Sequence, residues 1–264
     1  VAKMQGYDQF AQVYGLKRDP IFEHAHVLEE VASPAEVARQ AGVGAEQMQQ
    51  QFQAIRAALL ELRGKRTRPL LDTKILASWN GMMIRGYADA ARLLQNKEYL
   101  QPAVKAAEFV LANLRTEDGR LYRTHTAGEA RLNAYLDDYA EVVSGLLALH
   151  RATQEARWLE AAHELTEKQI ELFWDEQAGG FFYTSVDHET LIVRSRGPVD
   201  GATPSGNSVA AENLLYLAQA LNKPDYEAKA RATIQAHSSI FRAAPQALPR
   251  LGVSISRLLQ PAQP

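Results

Sequence analysis

Three stretches of equal length decide the fold: SWNGMMIRGYADAARLLQNKEYLQPAVKAAEFVLANL (78–114), DDYAEVVSGLLALHRATQEARWLEAAHELTEKQIELF (137–173) and SGNSVAAENLLYLAQALNKPDYEAKARATIQAHSSIF (205–241). Each opens on polar capping residues, runs about sixteen helical residues and breaks at a short polar turn, as expected of a helix start and stop. An aromatic then opens a second helix: Tyr99, Trp158 and Tyr226 each lie 19 residues after Asn80, Tyr139 and Asn207. Such self-similarity marks a repeat architecture, here of helix hairpins stacked in an arc. The period is longer than the ~34 residues of a tetratricopeptide. The extra length sits in two linkers, EDGRLYRTHTAGEARLNAY (117–135) and EQAGGFFYTSVDHETLIVRSR (176–196). Both read as β-hairpins, with turns at 127–129 and 186–188.

The two helices of a unit differ in patterning. Leu100, Ala103, Ala107, Val110, Leu111 and Leu114 form one apolar face of a second helix, so second helices form an outer layer. First helices, such as the one carrying Val142, Val143, Leu146, Leu147 and Leu149, read as apolar on nearly all sides and form an inner layer. The spacing predicts helices over 45–64, 78–94, 98–114, 138–153, 157–174, 205–221 and 225–241. Residues 1–74 follow a different pattern, an N-terminal helical segment expected to pack on the repeats. There Ser33 precedes Pro34 as an N-cap signal, and Met48, Phe52, Ile55, Leu59 and Leu62 mark one face of a long helix. A further helix is expected to start near Gly252, and the final residues 260–264 read as a frayed tail.

Composition sets wide bounds. Of 264 residues, 46% are apolar and 23% charged, the balance of an ordinary globular protein. With a net charge of −2 and no basic patch, nucleic acid is not an expected partner. No apolar run reaches membrane-spanning length, so no membrane association is expected. With no cysteine there is no disulfide, thiolate metal site or Cys nucleophile in this chain. A cytoplasmic location is the expectation. The missing initiator Met points to a piece of a longer parent.

The segments 71–81 (LDTKILASWNG), 137–140 (DDYA) and 200–208 (DGATPSGNS) resemble the thioredoxin-domain family typified by spermatogenesis-associated protein 20. The resemblance runs from about residue 7 to residue 258, with its motifs in the expected order. It implies an all-α fold, a partial (α/α) toroid of the six-hairpin glycosidase type, over residues 75–264. It also implies a thioredoxin-like domain in the parent that this chain lacks, and which becomes an expected partner. The resemblance implies a fold far more than an activity.

Polar residues gather before and at the starts of the inner helices: Asp72, Lys74, Ser78, Trp79 and Asn80 at the first, Asp137, Asp138 and Tyr139 at the second, Asp200, Ser205 and Asn207 at the third. Parallel inner helices would bring these to one mouth of the ring. There Asp137, Asp138 and Asp200 could act as acid and base, while Asp72, Lys74, Asn80, Ser205 and Asn207 hold hydroxyls and Trp79 and Tyr139 stack on a sugar face. A sugar or sugar acid is the expected ligand, by hydrolysis if catalysis occurs. The Asp and Ser residues among these equally suit helix N-caps. A non-catalytic scaffold modulating the thioredoxin-like domain is therefore the competing reading. Histidines that could serve an epimerase are poorly placed, with only His125 and His188 near a mouth. Arg194 and Arg196 suit an acidic sugar or simple pairing with nearby acids. No cofactor or metal motif is present. With three hairpins readable, the ring is expected to be an open arc, inactive alone and inclined to self-associate through its exposed flanks into a homo-oligomer.

Overall fold

The structure, a computed structural model, describes residues 1–189 and 192–259. The chain divides into two compact units, Val1–Leu71 and Asp72–Pro264. The first holds α1 (Tyr7–Val13), α2 (Pro34–Ala41) and α3 (Ala45–Gly64). Phe10, Val13, Val37, Met48, Phe52 and Ile55 close its core, with Phe10 edge-on to Phe52 at 5.2 Å. The long helix thus buries the face read from sequence except at its last turn, where Leu62 is exposed.

The second unit contains the repeats. A two-residue strand β1 (Ile75–Leu76) leads into α4 (Ala77–Leu93), and a short 3₁₀ turn leads into α5 (Leu100–Asn113). Strands β2 (Tyr122–Thr126) and β3 (Glu129–Asn133) follow, then α6 (Leu136–Thr153) and α7 (Ala156–Phe173). The third hairpin is α8 (Gly206–Leu221) and α9 (Pro224–Ala236), with α10 (Ser238–Ala243) and α11 (Pro249–Leu259) after it. Helix α11 starts three residues before the expected position, and the outer helix expected at 225–241 breaks at His237 into α9 and α10.

Packing follows the two-layer reading. Helix α4 packs on α6, α6 on α8 and α8 on α11, while α5, α7 and α9 each back their own inner partner. The inner helices run parallel, as their cross-contacts rise together in number: Ser78 meets Asp138, Gly81 meets Glu141, and Arg85 meets Ser144. Between α6 and α8 the same holds, with Gly206 against Leu136 and Asn213 bonded to the Ala140 carbonyl. Gly81 explains the close approach. A Cβ there would lie 2.4 Å from the Glu141 carbonyl carbon, so only glycine lets α4 and α6 touch backbone to backbone. Leu146 is fully buried, as an inner-layer residue must be. Of the repeated aromatics, Trp158 and Tyr226 are buried, and Tyr99 is half-buried. On the flank of α4, Trp79 and Met83 stay exposed, one helical turn apart.

The first expected β-hairpin forms and gains β1 as a third strand, in the order β1-β2-β3, all antiparallel. The second does not form as a ladder among the described residues, and Thr190 and Leu191 of its expected strands lie outside them. A Trp174–Phe181 bridge and the bond from Tyr183 N to Ser195 O are present there among the described residues. A physical reason is visible: the Arg194 guanidinium donates to the Thr184 carbonyl at 2.5 Å, taking an acceptor that a paired strand would use. The tail at 260–264 also lies outside the described residues.

Candidate functional site

The sequence-predicted mouth residues separate into those engaged by the fold and those left over. Asp138 is wholly buried. Its Oδ1 accepts from Ser78 N at 3.1 Å, and its Oδ2 accepts from Tyr135 N at 3.1 Å and from Arg123 Nη1 at 3.0 Å. One carboxylate thereby ties the first turn of α4 to the start of α6 and to β2. Burial and the neighbouring Asp137 raise its pKa to about 6, against the pull of Arg123. Both oxygens of Asp138 are thus engaged by backbone and Arg123 donors of the fold.

Asp200 is engaged in the same way. Its Oδ1 accepts from Ser205 N at 2.8 Å and its Oδ2 from Arg250 N at 2.8 Å, so it caps the starts of both α8 and α11. Tyr139, expected to stack on a sugar, is buried with its ring edge-on to Phe173 and its hydroxyl accepting from Leu121 N at 2.8 Å. Asn207 is a buried clamp: Oδ1 accepts from Phe181 N, and Nδ2 donates to the carbonyls of Phe181 and Arg196. It fastens the loop after α7 to α8, in place of a β-ladder. Ser205 takes the N-cap position of α8 and donates to the Gly197 carbonyl. Asn80 donates to the Leu76 carbonyl one turn back. Asp72 and Lys74 pair with each other at 3.2 Å on an exposed stretch, and Trp79 faces solvent.

Asp137 is the exception. Its Oδ1 is buried without a hydrogen-bond partner, and Arg123 stands 3.7 Å away, too far for a good hydrogen bond. Burial pushes its pKa up, against Arg123. Around it stand groups of which the sequence reading had named only His188. Tyr135 and Tyr183 stack at 4.9 Å with planes 9° apart, Arg123 lies over Tyr135 at 4.9 Å, and His188 meets Tyr135 at 5.5 Å. Leu136 N donates to the Tyr183 carbonyl, which pins this loop over the start of α6.

Below Asp137 the inner helices carry a polar stripe that sequence reasoning also missed. Glu141 and Ser144 follow Asp137 at one and two turns on α6, and Ser208 and Glu212 share a face of α8. Glu141 is buried with Oε1 unpartnered, and burial drives its pKa to about 7, although Arg250 and Arg85 oppose the shift. Glu212 is equally buried, yet its pKa is lowered because three guanidiniums converge on it. Arg85 grips it with two bonds of 3.1 and 3.2 Å, Arg257 lies 2.8 Å away and Arg250 is in direct contact. Arg85 also donates to Ser144 at 2.7 Å. The missed signal was there on α6: the acids Asp137 and Glu141 at i and i+4 in a largely apolar helix. Of the other sequence candidates, Arg196 pairs with Asp175, and both it and Arg194 lie over the Phe182 ring, so both brace the loop. Among the described residues, no three His, Asp or Glu side chains converge as metal ligands, and no helix is long and apolar enough to cross a membrane.

Spermatogenesis-associated protein 20 from Homo sapiens is 38% identical to this chain over 208 residues, 75% of the chain. The chain belongs to the family of that protein. It spans about a quarter of the human relative's length, 26%. An uncharacterized protein of Caenorhabditis elegans is 28% identical over 243 residues, 89% of the chain and 33% of its own length. No family model matches the chain. Among solved structures, a GH76 α-mannanase from Bacteroides thetaiotaomicron superposes with a TM-score of 0.54 at 19% identity, over 66% of this chain and 46% of the mannanase. Cellobiose 2-epimerase from Spirochaeta thermophila gives 0.51 at 18% identity, over 62% and 43%. These likenesses establish the fold, an α/α toroid of helix hairpins.

Proposed function

We propose that this spermatogenesis-associated protein 20 relative handles a carbohydrate at the start of α6, with Asp137 as the titrating group. The observation that carries this reading is the burial-raised Asp137 carboxyl, whose Oδ1 lacks a hydrogen-bond partner, beside Arg123 and the stacked Tyr135–Tyr183 pair. An acid perturbed by desolvation beside a specific charge partner is a functional-site candidate. Carboxylates and stacked rings are also the groups that bind hydroxyls and sugar faces. The fold adds weight, because its structural neighbours are named for acting on mannan and cellobiose. Calorimetric titration of the full-length protein with mannose, cellobiose and glucuronate tests it. Binding of at least one, weakened tenfold or more in Asp137→Asn, supports the reading. Absence of binding to all three, or an unaffected Asp137→Asn, overturns it.

One observation favours a second reading. Asp138 and Asp200 use all four oxygens on backbone and Arg donors, as expected of a scaffold with no chemistry at its mouth. Under that reading the toroid modulates a thioredoxin-like domain of the parent. Asp137→Asn would then leave sugar titrations blank and alter the thiol chemistry of that domain instead.

A further inference from the structure

The knot around Glu212 is built from four inner helices, and its charges do not balance. Arg85 comes from α4, Glu141 from α6, Glu212 from α8, and Arg250 and Arg257 from α11. Three guanidiniums face Glu212, and among the described residues the other carboxyl drawn into the knot by both Arg85 and Arg250 is Glu141. Asp89, near Arg85 at 3.6 Å, is shared with Arg92 and Arg151, so it does not remove the excess. Asp137 interacts with Glu141 from one turn above.

The same knot contains polar atoms with nothing to bind. Glu141 Oε1, Ser208 Oγ and Ser254 Oγ have no hydrogen-bond partner, and their residues are at least nine-tenths buried. Arg250 Nε is also unpartnered. Ser208 lies one turn before Glu212 on α8, and Ser254 lies between Arg250 and Arg257 on one face of α11. Orphaned buried polar atoms call for an occupant. The arginines remain reachable: the side chains of Arg85, Arg250 and Arg257 are 20%, 22% and 41% exposed.

We infer that this knot binds the carboxylate of a sugar acid, with Arg250 and Arg257 receiving the anion and Ser208, Ser254 and Glu141 available to its hydroxyls. The inference deepens the carbohydrate reading and rests on it. Guanidinium forks match a planar carboxylate. Glu141, held near neutrality by burial, can be protonated at neutral pH and then donates instead of repelling the anion. Affinity for the acid therefore falls as pH rises from 6 to 8. The other charges facing Glu141, from Arg85, Asp137, Glu212 and Arg250, have directions set by pairing or burial that do not reverse this sign.

The test is titration of the full-length protein with glucuronate, glucose, glucose 6-phosphate and sodium sulfate at pH 6 and pH 8. Glucuronate should bind at least tenfold tighter than glucose and weaken at pH 8. Arg257→Met, at a partly exposed position, should lose fivefold or more for glucuronate and nothing for glucose, at an unchanged melting temperature. Glu141→Gln should flatten the pH dependence. Equal affinity for glucuronate and glucose would overturn the inference while leaving the carbohydrate reading in place. No binding of either sugar would overturn both. Sulfate or glucose 6-phosphate binding more tightly than glucuronate would overturn the assignment to a sugar carboxylate.

Discussion

The rim and the axis of the arc use the same residue types to opposite ends. At the rim, Asp138, Asp200, Ser205 and Asn207 meet backbone N–H and C=O groups that loops and helix starts leave unsatisfied. One or two turns deeper, every backbone group of the helix is already bonded, so Glu141 and Glu212 find only the arginines or nothing. The lesson is that an acid at a helix start is explained by the backbone, whereas an acid inside a buried helix needs a partner of its own. Asp137 stands at the border, in the first turn yet with its Oδ1 lacking a hydrogen-bond partner.

The largest expected effect that would break this contrast is at the rim. Asp138→Ala leaves Arg123, Ser78 N and Tyr135 N without their acceptor and should cost about 3–5 kcal/mol in urea denaturation. A loss under 1 kcal/mol would mean that the tie between α4 and α6 is dispensable. Leu146→Ala, in the inner layer, should cost about 2–5 kcal/mol.

At the axis the sign reverses. The folded pKa of Glu141, about 7, lies above its ordinary 4.5. Its contribution to stability is fully present below pH 4.5 and is lost as pH rises through 7. Glu141→Gln should therefore stabilise the protein at pH 8 by about 1–3 kcal/mol and have little effect at pH 4, as the linkage between pKa and stability requires. Destabilisation at pH 8 would show that the charged form is held by a partner. Asp200→Ala, removing a cap shared by two helices, should cost about 1–2 kcal/mol. Smallest of all, Asp72→Ala should leave the melting temperature unchanged, since its pairing with Lys74 is solvent-exposed.

The helices were legible because their signals are local and periodic. The spacing of Asn80, Tyr139 and Asn207 from Tyr99, Trp158 and Tyr226 placed three hairpins in register, and the structure keeps them. The second β-hairpin was not legible, because FFYT and the strand after it have strand-like composition but use Asn207 and Arg194 side chains in place of a ladder. Much of the site was hidden for a related reason. Polar residues at helix starts draw the eye, but whether Asp138 caps a neighbouring helix depends on Ser78, sixty positions away in the chain. The stripe of Asp137, Glu141 and Ser144 was readable at helical spacing, yet it was masked by the apolar residues that fill the rest of α6.

The contrast between rim and axis is tested most directly by measuring sugar affinity and melting temperature together for Asp137→Asn and Asp200→Asn in the full-length protein. We expect Asp137→Asn to lose affinity tenfold or more with its melting temperature preserved, and Asp200→Asn to melt earlier with its affinity preserved. The opposite pattern, binding lost in Asp200→Asn at an unchanged melting temperature and kept in Asp137→Asn, would contradict the account.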